Sequence, residues 1–134
     1  MDSLVLPLQV FSFYAALLAL LFVVLSFRVV TIRRRDRVSL GDQDNPALRR
    51  AIRAHGNFAE YTPIALILIG LCVVMGLGVF WGHLICNSLL LGRVMHAYGV
   101  GKRGGHMFSR VFGMVLTLTT IIVSALYLCV KTVS

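Results

Sequence analysis

Acidic residues are nearly missing from this chain. Its 134 residues include five Asp and Glu against thirteen Lys and Arg, and Glu60 is the one glutamate. Charge of either sign is absent from three long stretches, Ser3–Phe27, Tyr61–Gly92 and Val111–Val130. A water-soluble core of this size is broken by charge every few residues, so these gaps exclude an ordinary soluble domain and leave lipid as the solvent for much of the surface. Cysteine is scarce too. Cys72, Cys86 and Cys129 lie in apolar runs without Cys-x-x-Cys spacing, and an odd count cannot pair fully within one chain. Free buried thiols are the expected state, and no metal site is expected. The first apolar run also lacks the basic start of a secretory leader. Asp2 stands in that place, the run is too long, and bulky Phe27, Arg28 and Val29 close it, so a retained helix is expected.

What is present fits an integral membrane protein: 58% of residues are hydrophobic, and the mean hydropathy is +0.87. The middle run, Tyr61–Gly92, is too long for one crossing, because a hydrocarbon core of about 30 Å takes roughly 20 helical residues. It must fold back near Gly76, Gly78 and Gly82, with the turn expected at Leu77–Gly78. Two legs of about 20 residues then reach from the turn to Phe58 and to Ala97. The resulting fold class is all-α, a four-helix membrane bundle with helices over 4–32, 46–77, 78–98 and 106–131 of a single domain spanning 1–134. Asn45 followed by Pro46 marks the start of the second helix. Pro63 is expected to kink that helix mildly, because the Ala59 carbonyl loses its usual donor. Ser39–Asn45 and Gly99–Gly105 are read as the connecting loops.

In this arrangement Arg28, Arg33, Arg34, Arg35, Arg37, Arg49, Arg50, Arg53, Arg93, Lys102, Arg103 and Arg110 fall on one side and Lys131 alone on the other. The positive-inside rule makes the arginine-rich side cytoplasmic and turns both termini outward. The net charge of +8 is accounted for by this topology and by anionic lipid head groups, so membrane lipids are expected partners and nucleic acid is not.

The second helix carries the informative cluster. Arg53, Asn57 and Glu60 stand at i, i+4 and i+7, along one face, with Tyr61 beside them. The two-leg estimate puts Glu60 and Arg93 at similar depth, where charges are expected to pair inside the bundle, Glu60 with Arg53 or Arg93. Arg93 and His96 stand at i, i+3 on the third helix, with Tyr98 beyond, and Arg110 opens the fourth, where free N–H groups favour an anion. Several arginines with one carboxylate, an amide and tyrosines suit a small anion that carries an amino group. Packing between helices is the competing use of the same residues.

The segment Arg53-Ala54-His55-Gly56-Asn57-Phe58-Ala59-Glu60-Tyr61-Thr62-Pro63 resembles the signature of the MAPEG family, membrane-associated proteins in eicosanoid and glutathione metabolism, with its Arg-Ala-x-x-Asn-x-x-Glu-Tyr-x-Pro pattern. Gly92-Arg93-Val94-Met95-His96 and Arg110 resemble that family's third and fourth helices. The resemblance implies a homotrimer that holds glutathione, as co-substrate, between subunits near the cytoplasmic surface. Arg53, Asn57, Glu60 and Tyr61 would bind the tripeptide, Arg93, His96 and Tyr98 would support it, Arg110 would activate the thiol, and Arg28 or Arg33 would complete the site from a neighbour. The implied activity is a glutathione-dependent transferase or peroxidase acting on lipophilic electrophiles. Gly56 stands where some members carry a further arginine, and Tyr98 alone represents the tyrosines after the third helix of the eicosanoid synthases, which points away from dedicated eicosanoid synthesis. The alternative is a non-enzymatic trimer, lipid-binding or scaffolding. A small multidrug-type exporter would need a glutamate in the first helix, where there is none. Compact loops and the lack of an endoplasmic-reticulum retrieval tail favour a bacterial inner membrane.

Overall fold

The computed structural model describes residues 2–133, and the two end residues, on which the expectation of outward termini bears, lie outside them. Four helices succeed one another: α1 (Asp2–Asp36), α2 (Pro46–Val74), α3 (Val79–Gly101) and α4 (Met107–Val133). Helices α2 and α3 form the centre. Each touches the other three elements, whereas α1 and α4 do not meet among the described residues. Three helices, α1, α2 and α4, are long and apolar enough by themselves to cross a membrane. At about 1.5 Å per residue α3 is about 34 Å long, the length a crossing needs, and it packs against the other three helices.

The helix ends have local causes. The Asn45 side-chain oxygen accepts from the Ala47 and Leu48 amides at 3.0 and 3.1 Å, and Pro46 occupies the position where no donor is needed, so α2 starts as the sequence predicts. It runs without interruption through Pro63. Its end comes three residues before the expected boundary. Gly76 takes a left-handed φ of +91°, its N–H reaches the Val73 carbonyl, the Leu77 N–H reaches the Cys72 carbonyl, and the Leu77 side chain is buried under the turn.

Two other boundaries differ from the sequence reading. Helix α1 continues through Arg33, Arg34 and Arg35, because arginine is a good helix former and favours the negative end of the helix dipole. It stops at Arg37, which adopts a φ of +55° while the Val38 N–H bonds to the Arg33 carbonyl at 3.0 Å and Val38 is buried. Helix α3 continues through Gly99 and Gly101, which shrinks the expected loop to Lys102–His106. Those glycines serve close approach rather than a turn. A Cβ on Gly99 would lie 2.8 Å from both the amide nitrogen and the Cγ of Arg110.

The tightest crossing joins α3 and α4. A Cβ on Gly113 would meet the Gly92 carbonyl oxygen at 2.5 Å and the His96 amide nitrogen at 2.6 Å, so the two backbones touch there. Small residues give this approach in lipid, where no water drives helices together. Buried Thr117 and Thr120 on α4 turn their hydroxyls back to the Gly113 and Leu116 carbonyls, each at 2.9 Å, and so bury no free donor.

Candidate functional site

A cavity of about 770 Å³ opens at the arginine-rich end, between α2, the last turn of α3 and the start of α4. Helix α2 supplies Arg49, Arg50, Arg53, Asn57 and Glu60, all on one stripe because they recur at three- and four-residue steps. Helix α3 supplies His96 and Gly99, the α3–α4 connection Gly104 and Gly105, and α4 Arg110. Gly104 and Gly105 have φ of +88° and +69°, a conformation that a side chain would strain, so the chain turns here with bare backbone facing the cavity.

The structure therefore brings together Arg53, Asn57, Glu60, His96 and Arg110 of the sequence-predicted set. Arg93 lies behind the wall. It is 1% exposed, and its Nη1 donates to the Asn57 side-chain oxygen at 2.9 Å and to the Asn57 carbonyl at 3.3 Å. Its Nη2 lies 3.9 Å from the Met114 sulfur, and its Cζ stands 5.9 Å from the centroid of the Tyr61 ring. Within the single chain the expected pairing of Glu60 with Arg53 or Arg93 is not made. The ion pairs among the described residues join Arg35 to Asp36 and Arg49 to Asp42 and Asp44. Two acceptor oxygens of Asn57 reach Arg93 without bringing a second charge into the bundle, and Glu60 is left exposed at the cavity.

Three further predicted residues lie elsewhere. Tyr98 is exposed, with the Lys102 ammonium 5.6 Å from its ring centroid and the His106 ring beside it. Arg28 donates to the Gly101 carbonyl and Arg33 to the Gly41 carbonyl, both at 2.9 Å and both within the chain. Sequence reasoning gave Arg49 and Arg50 to topology alone. Their spacing of four and three residues before Arg53 is the signal that places them on the same stripe. Arg49 is tethered from outside the cavity by Asp42 and by Asp44, the latter at 3.0 Å. The hydrogen bond from Arg49, and a second from the Asp44 amide, hold the Asp42 carboxyl below the ordinary carboxylate range.

Electrostatically the wall is one-sided. Four guanidinium groups line it against the single carboxylate of Glu60, and buried Arg93 adds a fifth positive charge behind Asn57. Because the Asn57 oxygen is committed to Arg93, its amide NH₂ is the group left to donate. The chemistry of this wall suits a small polyanion, with Glu60 free to accept from a cationic donor. A separate apolar groove of about 300 Å³ lies on a different face of α2, against α1, lined by Leu18, Phe22, Phe58 and Leu66 among others.

The inner membrane protein YecN of Escherichia coli strain K12 is 43% identical over 95 residues, which cover 71% of this chain and 72% of that protein. The YecN of Escherichia coli O6:H1 strain CFT073 matches with the same identity and coverage. A family description, that of the MAPEG family, fits residues 11–130, a span that runs from within α1 to within the last turn of α4. With that span and these relatives, this integral membrane chain belongs to the MAPEG family.

Proposed function

We propose that the cavity binds glutathione and that the protein is a glutathione-dependent transferase or peroxidase acting on hydrophobic electrophiles that reach it from the bilayer. The observation that carries the reading is the composition of the wall, four arginines and a donating amide against one carboxylate that makes no ion pair within the chain. Glutathione offers two carboxylates, one ammonium and one thiol. Guanidinium forks hold carboxylates with paired hydrogen bonds, and Glu60 accepts from the ammonium. A thiol of ordinary pKa, about 8.5, is mostly protonated at neutral pH, and a cation beside it favours the nucleophilic thiolate. Arg110 has that role here. It acts by charge, since a guanidinium does not titrate in the useful range, and each unit by which it lowers the thiol pKa corresponds to about 1.4 kcal/mol. Arg53 and Asn57 position the tripeptide, and His96 borders it from α3.

In this reading three copies assemble, and a neighbour closes the cavity over Arg53, Glu60 and Arg110, which are exposed in the single chain. The arginine-rich ends face the cytoplasm and the membrane is a bacterial inner membrane, as the name of the relatives supports. The hydrogen bonds of wholly buried Arg93 to Asn57 favour a second reading, in which the polar cluster serves packing in a non-enzymatic trimer.

Thermal unfolding in detergent with increasing glutathione separates the two. Binding raises the midpoint with ligand concentration, and the bound ligand shows thiolate absorbance in ultraviolet difference spectra. No shift at millimolar glutathione would leave the packing reading standing.

A further inference from the structure

Arg28 is engaged within its own chain, through a 2.9 Å hydrogen bond from Nη2 to the Gly101 carbonyl. Gly101 is the last residue of α3, where carbonyls run out of helical donors and carry the negative end of the helix dipole. A guanidinium is favoured there on both counts. Two neighbouring carbonyls already have donors, Tyr98 from the Lys102 N–H and Gly99 from the His106 N–H. The missing side chain of Gly101 makes room for this contact, since a Cβ there would collide with the Arg28 guanidinium.

The residues directly after Gly101 give the contact its importance. Lys102 and Arg103 lead to Gly104 and Gly105, which line the cavity, and then to His106 and the first turn of α4. The Arg110 N–H bonds to the His106 carbonyl at 3.1 Å, and Arg110 packs its backbone and Cγ where Gly99 has no Cβ. The His106 ring nitrogen faces the Ser109 amide at 3.3 Å and the Ser109 hydroxyl at 2.9 Å. The connection is thus fixed at two places, by Gly99 against the start of α4 and by Gly101 against Arg28 on α1. Gly104 and Gly105 are the permissive residues between them.

We infer that Arg28 is a positioning residue: it clamps the α3–α4 connection to α1 and so holds Gly104, Gly105 and Arg110 where they line the cavity. The clamp belongs to the free chain. Its consequence for glutathione rests on the function proposed above.

The test uses the full protein in detergent micelles with the variants Arg28→Gln, Arg28→Lys, Gly101→Ala and the Arg28→Gln/Gly101→Ala pair. Amide hydrogen exchange is measured without ligand, and glutathione affinity and thiolate absorbance are measured beside it. Arg28→Gln should accelerate exchange across residues 99–110 on the order of tenfold, the loss of one hydrogen bond to a charged group, and leave α2 unchanged. Gly101→Ala displaces the same guanidinium and should have the same effect, the pair being no worse than either single change. Arg28→Lys should restore part of the protection. Affinity and thiolate absorbance should fall alike in Arg28→Gln and Gly101→Ala. Unchanged exchange in Arg28→Gln would overturn the clamp. So would an affinity loss in Arg28→Gln that Gly101→Ala does not share, since that is the behaviour of a residue touching the ligand itself. If the parent binds no glutathione, the functional reading fails, and the exchange measurement still decides the clamp.

Discussion

Asn57 works in two directions from one position. Its oxygen atoms take the hydrogen bonds of a wholly buried Arg93, which leaves its NH₂ for the cavity. Removing either partner strands the other at membrane depth, so the two are expected to couple by about 1–3 kcal/mol in a double-mutant cycle of Arg93→Leu and Asn57→Leu. The same cycle between Arg93 and Glu60 should show no coupling, as read from unfolding in mixed micelles. Coupling to Glu60 instead would mean that a contact outside the single chain holds Arg93. Arg110 makes a different prediction because its part is charge next to sulfur. Arg110→Ala should abolish the thiolate absorbance of bound glutathione and cut conjugation to a small aromatic electrophile, with a smaller effect on affinity. Arg110→Lys keeps the charge without the planar fork and should restore part of the thiolate signal. Glu60→Ala should weaken binding first. An Arg110→Ala variant with the parent's thiolate titration and turnover would remove Arg110 from the role.

Among the elements, the α3–α4 crossing is the least forgiving. A methyl group at Gly113 would face backbone atoms of Gly92 and His96, which cannot rotate away, so the helices must separate. Gly113→Ala should therefore destabilise by about 1–3 kcal/mol or more, whereas Gly56→Ala, with nothing within 4 Å of its added Cβ, should be neutral or stabilise by up to about 1 kcal/mol through helix propensity. Thermal unfolding in detergent checks both. These cases also show what a sequence carries and what it hides. The Asn45-Pro46 start of α2 is legible because a cap is made within three residues. The stripe of Arg53, Asn57 and Glu60 is legible because helical periodicity alone puts them together. Arg37 as a helix stop is not, since a left-handed arginine depends on Val38 finding a buried place beneath the turn. Gly99 and Gly101 read as loop residues because glycine has two uses, turning and close approach, and only the neighbours, Arg110 and Arg28, decide between them. The choice of Asn57 over Glu60 as partner of Arg93 is hidden for the same reason. Depth in the membrane is readable from counting residues; the rotation of α3 against α2 is not.

For the whole molecule, the proposed topology of four crossings would place both ends on the same side of the membrane, with the arginine-rich side in the cytoplasm by the positive-inside rule. A reporter fused after Ser134 should be active only in its extracytoplasmic form; a cytoplasmic C-terminus would refute four crossings. The α1–α2 connection gives the molecule a pH limit. Asp42 titrates below its ordinary range because Arg49 and the Asp44 amide favour its charged form. Its contribution is present above the ordinary carboxylate pKa and lost as the pH falls through the lowered value, so this connection should loosen only in strong acid. Hydrogen exchange over residues 37–45 should be flat from pH 7 to about 5, after correction for intrinsic rates, and rise below about 4. Helix α3 has a last consequence, for biogenesis. It carries His83, Asn87, Arg93 and His96, and it stands outside the three helices that are long and apolar enough by themselves to cross a membrane. Until Asn57 is beside it, Arg93 has no acceptor and each of these groups favours water. The expected route is insertion of α3 as half of a hairpin with α2, so a chain cut after Gly101 with its Asn57 replaced by leucine should let α3 slip back into water, where a glycosylation or protease-access assay would find it; full insertion of that chain would refute the dependence.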